Sequence, residues 1–326
     1  MKTIGRLFVL ALGVINSGSA PTPAQNPSGS QSDTDSSRQI TLDRFNKARP
    51  AADTANGAGK STTTATARNR NRAKTAMARP PIYRRTTPQR APAAGTKSTS
   101  ESAAEIGVTV WRLRPSRSAD QGARVLVMDG LKQSAWTPER IEADTPLKIG
   151  DRVRLSVESP RPGYLYIVDR EKYADGSFGN AMLIFPTRQT RGGDNHVVPG
   201  RLVDIPAQED QYSYFTAQPS GSRRDQVAEV LTIILMPTPL NLKITDQPLQ
   251  ISRTQIGQWE KLWSGATEEF ELVGGAGQIW TDEEKEAGAA NGRQLTQTGP
   301  PPQTVYRLPP RAAGTLLVTV PLHYGK

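Results

Sequence analysis

The chain contains no cysteine. That excludes disulfides, thiolate metal sites and a thiol nucleophile, and by itself it says nothing about compartment. Histidine is nearly as scarce, with His196 and His323 the only two in 326 residues. A histidine-rich zinc site is therefore excluded, and a mixed one has little to draw on. Apolar residues make up 36% and aromatics 6%, while Gly and Pro contribute 28 and 26 residues. A folded part diluted by a long unstructured part gives such a composition. Long apolar runs are missing too. The stretch LFVLALGVI (Leu7 to Ile15) falls well short of the ~20 residues needed to cross a bilayer.

The net charge of +10 resembles a nucleic-acid signal until it is located. Thr54 to Ser100 holds 10 Lys or Arg and no Asp or Glu, whereas Glu101 to Lys326 holds 25 basic and 27 acidic residues, a net of −2. The excess basicity thus sits in a low-complexity segment, and no specific nucleic-acid binding is expected of the remainder.

Met1 to Ala24 reads as a secretory signal. Lys2 and Arg6 precede the short apolar run, and small residues follow;. Cleavage after Ala24 or near Ser19 fits better than cleavage after Ala20, which would leave Pro21 first. The chain is accordingly expected to be exported, to the periplasm, cell envelope or medium, with no membrane span in the mature form. Residues 25–105 form a basic, Ser/Thr/Ala/Pro-rich linker that cannot bury enough surface to offset its ordering entropy. Its most basic tract, Ala67 to Arg85, is either a solvated spacer or an adhesive for anionic polymers.

From Ile106 the pattern changes. Short apolar runs cut by Gly and Pro predict strands at Gly107 to Pro115, Ala123 to Asp129, Arg152 to Glu158, Gly163 to Asp169, Ala181 to Phe185, Arg201 to Ile205, Tyr212 to Thr216 and Glu229 to Leu235;. Trp136 to Thr145 reads as a polar connection. The spacing of strand starts suits antiparallel hairpins better than βαβ crossovers. Ser252 with Gln255 predicts the cap of a helix carrying Ile256, Trp259 and Trp263. Thr281 with Glu284 predicts a second, charged helix. The apolar run TLLVTVPLHYG (Thr315 to Gly325) must be buried by joining the upstream sheet. The expected architecture is mostly β: an antiparallel, sandwich-like domain with two short helices behind a long disordered arm. Residues 106–245 form the β-rich core, and 246–326 supply a helical insertion and C-terminal strands completing the same domain.

Motifs for chemistry fail on their spacing. GAGKST (Gly57 to Thr62) lacks the earlier glycine of a phosphate loop, since position 54 is Thr, and has no strand or helix around it. GSFG around Ser177 has Asp175 where a nucleophile elbow needs Gly. GGAG at Gly274 reads as a tight turn. Asp169 to Asn180 concentrates Asp and Gly without the ligand pattern of a calcium loop. His196 lies in a polar loop and His323 ends a strand, with no activated serine or carboxylate dyad beside either. No catalytic, cofactor-binding or metal-binding set is legible. Tyr164 with Tyr166, and Tyr212 with Tyr214, each share a strand face. Those rings either pack in the core or, if exposed, form a binding face for peptide or glycan.

LKIGDRVRLSVESPRPGYLYIVDRE, then LIFPTRQTRGGDNHVVPGRLVDIP, then YFTAQPSG and EVLTIILMPTPL, in that order, resemble the bacterial domain-of-unknown-function family 4384. The carriers are Gly150-Asp151, Gly163 to Tyr166, Phe185-Pro186, Asn195 and Ile205-Pro206, over roughly Val108 to Leu240, with the tail to Gly325 as an extension. The resemblance implies an extracytoplasmic or accessory β-domain and carries over no catalytic residue. The reading reached is an exported, non-enzymatic binding or assembly module of the cell envelope, with an envelope protein or polymer as partner and no cofactor. The alternative is an envelope-polymer hydrolase using carboxylates with His196 or His323.

Overall fold

The computed structural model describes residues 45–52, 81–86, 104–129, 132–210, 213–221, 223–309 and 314–325. Two antiparallel sheets face each other. The larger contains β1 (Tyr83–Arg85), β2 (Ala104–Pro115), β3 (Val125–Asp129), β4 (Lys132–Ile141), β5 (Arg152–Glu158), β9 (Leu202–Ile205), β10 (Phe215–Thr216), β13 (Glu268–Leu272) and β14 (Thr304–Leu308). Its main path runs β1-β13-β14-β2-β4-β3, and β5 lies along the other edge of β2 with β9 and β10 beyond it. The smaller sheet is β12 (Leu249–Ile251), β7 (Ala181–Phe185), β6 (Gly163–Tyr173), β11 (Gln226–Met236) and β15 (Leu316–His323), with β8 (His196–Val197) against the start of β6.

The main core lies between the sheets. Alternate residues of each strand reach it: Ile106, Val108 and Val110 of β2, Leu165 and Ile167 of β6, Leu231, Ile233 and Leu235 of β11, and Leu316, Val318 and Val320 of β15. The C-terminal apolar run is therefore β15, paired with β11 from Leu316 to His323. On the outer face of the smaller sheet, Tyr166, Val168, Ile234 and Leu317 pack under helix α1 (Arg253–Trp263) through Ile256 and Trp259. Ser252 caps α1 by accepting from the Gln255 amide. The helix ends at Trp263, with Ser264 as its C-cap. Helix α2 (Asp282–Gly288) carries the full capping box, Thr281 and Glu284 each bonding the other's backbone N–H. Both X-Pro steps of the family-like pattern, Phe185–Pro186 and Ile205–Pro206, are cis.

Two expectations need correction. The expected connection from Trp136 to Thr145 shrinks to residues 142–145, because Lys132–Ile141 is strand β4, paired with both β2 and β3. Its buried positions include Thr137 and Arg140, so no apolar alternation betrays it. Arg140 is buried because it lies 5.3 Å from the Trp111 ring and pairs with Glu284 of α2. The other correction concerns residues 25–105, two pieces of which are docked on the domain. Phe45 is fully buried, and Tyr83–Arg85 is an edge strand of the larger sheet. Most of the remaining linker lies outside the described residues, as do the signal-like segment, GAGKST and Tyr212.

Candidate functional site

The docked arm is held by strand pairing, apolar packing and a buried ion pair together. β1 runs antiparallel to β13, with Tyr83 opposite Leu272 and Arg85 opposite Phe270. The Val273 amide donates to Ile82 O at 2.7 Å and the Thr86 amide to Glu269 O at 3.0 Å, so five consecutive residues of the arm engage the edge. Phe45 and Tyr83 pack with Phe270, Leu272 and Val305, and the Tyr83 hydroxyl donates to Pro302 O at 2.5 Å. Burial pushes that hydroxyl's pKa well above its ordinary value. Arg49 holds Glu158 of β5 through Nε–Oε1 and Nη2–Oε2, each 2.7 Å, and donates to Gly299 O and Pro300 O at 3.0 Å. Arg85 meets Glu268 at 2.7 Å and Arg84 meets Glu142 at 3.5 Å. Basic arm thus sits on acidic edge.

A second cluster lies where the core meets one end of the sandwich. Asp169, Glu171 and Tyr173 of β6 continue the inward face of Leu165 and Ile167 past the last apolar residues, and Glu229 of β11 lies opposite Glu171. Glu229 is buried; its Oε1 accepts from Gln226 Nε2 at 2.8 Å and from the Tyr324 hydroxyl at 3.2 Å. Asp169 Oδ1 and Glu229 Oε2 are enclosed without a donor. Desolvation raises both carboxyl pKa values, and each is near other acids: Asp169 lies near Glu171, and Glu229 lies near Asp169 and Glu171. Burial and the neighbouring acids together hold both carboxyl groups toward their protonated forms. The chemistry available is that of a carboxylic acid kept protonated toward neutral pH.

Neither histidine joins this pair. His196 sits on β8 beside Tyr164, with ring centroids 5.4 Å apart. It is five residues along β6 from Asp169, roughly 17 Å at ~3.3 Å per residue. His323 pairs with Ala228, one residue from Glu229, so strand alternation turns it to the opposite face;. The tyrosine face divides. Tyr166 is core, its hydroxyl accepting from the Leu240 amide at 2.7 Å, and Tyr164 is half-buried over the same cluster. Tyr214 lies 4.7 Å from the Arg152 guanidinium, which also stands 4.1 Å from the Trp136 ring. Ser177 is held in its hairpin loop by Asp175 and Arg223. Among the described residues no group of three or more acids and histidines is arranged to hold a metal, and no helix is long and apolar enough to cross a membrane.

The arm and the acid pair were missed from sequence for different reasons. Phe45 and Tyr83 are rare large apolar residues within a polar tract, and that rarity was the available signal. Asp169 and Glu229 converge only through the β6–β11 register.

Residues 146–228 match the family model of a domain of unknown function (DUF4384). The matched segment runs from before β5 to the first residues of β11 and takes strands from both sheets, so the acid pair falls on it in part. The arm, β2–β4 and everything from β12 onward lie outside it. No curated protein and no solved structure matches the chain.

Proposed function

We propose that the protein is an exported, non-enzymatic binding and assembly module of the cell envelope that recognises extended segments by strand addition. The observation that carries this reading is the β13 edge, which among the described residues is closed by the short arm segment from Ile82 to Thr86. Recognition by strand addition draws affinity from main-chain hydrogen bonds and specificity from pockets for alternate side chains. Here Tyr83 fills such a pocket while Arg84 and Arg85 meet carboxylates. The signal-like first 24 residues support export, and the orientation of both histidines away from the acid pair supports a non-catalytic role.

The arm then acts as an occupant held in cis at high local concentration, which a longer or better-matched partner strand displaces. A labelled peptide of residues 81–88 tests this by fluorescence anisotropy. It is expected to bind the full-length Tyr83→Ala chain, whose own arm is weakened, more tightly than the unaltered chain. Absence of binding to both would remove the reading. The hydrolase alternative draws its support from the raised Asp169–Glu229 pair. It requires that Glu229→Gln abolish release of reducing ends or peptides from envelope polymer.

A further inference from the structure

Outside the arm and the acid pair, a cleft of about 270 Å³ lies between α1 and the β6–β7 hairpin. Its helical wall is Arg253, Ile256, Gly257 and Glu260, a spacing that puts all four on one face. Facing them are Arg170 of β6 and Phe178 of the hairpin.

Two choices on that helix run against local stability. Gly257 stands mid-helix and exposed, where Gly is disfavoured relative to Ala by its backbone entropy. A Cβ placed there would meet nothing within 4 Å, so no packing contact requires the glycine. Arg253 occupies the first helical position, and the first turn has no acidic residue. The helix dipole favours an acid there and disfavours a cation. Both departures border the same cleft, and departures from local preference concentrate at functional sites.

The opposite wall supplies a prepared cation. Arg170 is buried, its guanidinium 4.3 Å from the Phe178 ring centroid. Nη2 is held by Glu260 and, at 3.4 Å, by Thr232 Oγ1, while Nε is enclosed without a partner. The guanidinium lines the cleft, its orientation is already fixed through Nη2, and Nη1 makes no hydrogen bond or ion pair among the described residues. Arg253 across the gap is exposed and has no ion pair among the described residues. Two guanidinium groups against the single carboxylate of Glu260 give the cleft a net positive charge. The Phe178 ring and Ile256 make its apolar surface.

We propose that this cleft binds a small carboxylate with an apolar body, its two oxygens between Arg170 and Arg253 and its body on Phe178. Planar carboxylates suit guanidinium donors, and the volume is at the small end for a ligand pocket. A free organic acid and the C-terminal carboxylate of a peptide ending in an apolar residue share this chemistry. The site is independent of the β13 edge, so either can fail without the other.

The test is titration calorimetry on the full-length chain with phenylacetate and N-acetylphenylalanine, each paired with its neutral amide, and with inorganic phosphate. The acids are expected to saturate with Kd on the order of 1 mM, as their ten to fifteen heavy atoms permit. The amides should bind at least ~10-fold more weakly. Tighter binding of N-acetylphenylalanine assigns the peptide terminus as the source, and equal or weaker binding assigns the free acid. Arg253→Gln should weaken binding about 10-fold. Gly257→Leu should abolish it by filling the cleft while leaving the melting temperature unchanged or higher. The proposal is overturned if the acids fail to saturate, if amides or phosphate bind as well as the acids, or if Gly257→Leu binds like the unaltered chain.

Discussion

Arg49 and Glu158, 109 residues apart in sequence, meet through two 2.7 Å contacts with both side chains removed from solvent. A buried pair of this kind fixes geometry more than it adds stability, and breaking it by removing one partner strands the other charge. Arg49→Met is therefore predicted to cost about 3–5 kcal/mol in urea unfolding, or to release the arm while the sandwich stays folded. Limited proteolysis between residues 45 and 86, compared with the unaltered chain, distinguishes the two outcomes. An unchanged midpoint with an unchanged cleavage pattern would mean that the arm is held without this pair.

Gly107 of β2 gives an independent handle on the same seam. A Cβ added there would lie 2.6 Å from Pro302 Cγ and 2.8 Å from Phe45 Cζ. Neither neighbour is a flexible side-chain end, so Gly107→Ala forces the ring of Phe45 or the Pro302 turn outward. The expected loss is about 1–3 kcal/mol, read as a lower denaturant midpoint. Exposure of the arm to protease should rise with it.

Tyr83→Phe keeps the ring and removes the hydroxyl that bonds Pro302 O. The buried carbonyl is left unsatisfied, at a cost of about 1–3 kcal/mol. Tyr83→Ala should cost more, since the ring also leaves the Phe45–Phe270–Val305 cluster.

Stability should depend on pH through Asp169 and Glu229. Their folded-state pKa values are raised, chiefly by desolvation, so the folded chain keeps a proton that the unfolded chain releases. The stabilisation is fully present below the ordinary carboxylate range and is lost as pH rises through the raised values. Glu271, pushed up to about 7 mainly by burial, acts with the same sign from the larger sheet. Melting temperature is thus predicted to fall between pH 5 and pH 8. Glu229→Gln should flatten part of that slope and leave the share belonging to Glu271. A melting temperature that rises over this interval would contradict the assignment.

Much of the sandwich was legible where burial and alternation coincide. Arg152–Glu158 and Ala181–Phe185 match the predicted strands residue for residue, because each puts apolar side chains toward a core. The Thr281–Glu284 cap is a local motif and was read as one. β4 escaped notice because Thr137 and Arg140 occupy buried positions, made tenable by Trp111 and Glu284 from distant parts of the chain. The arm escaped because composition averages over windows. Phe45, Arg49 and Tyr83 bind as individual anchors, and an average over their polar neighbours conceals them. Of the candidate sites, the histidines were visible but their faces were not. Alternation about Ala228 turns His323 away from Glu229, and only the β11–β15 register shows it.

The most direct measurement on the strand-addition account is amide hydrogen exchange across β13 in the Tyr83→Ala chain, with and without the peptide of residues 81–88. The account predicts fast exchange at Val273, whose amide loses Ile82 O, and restored protection there when peptide is added. Protection of Val273 that is undiminished by the substitution, or that peptide fails to restore, would contradict it.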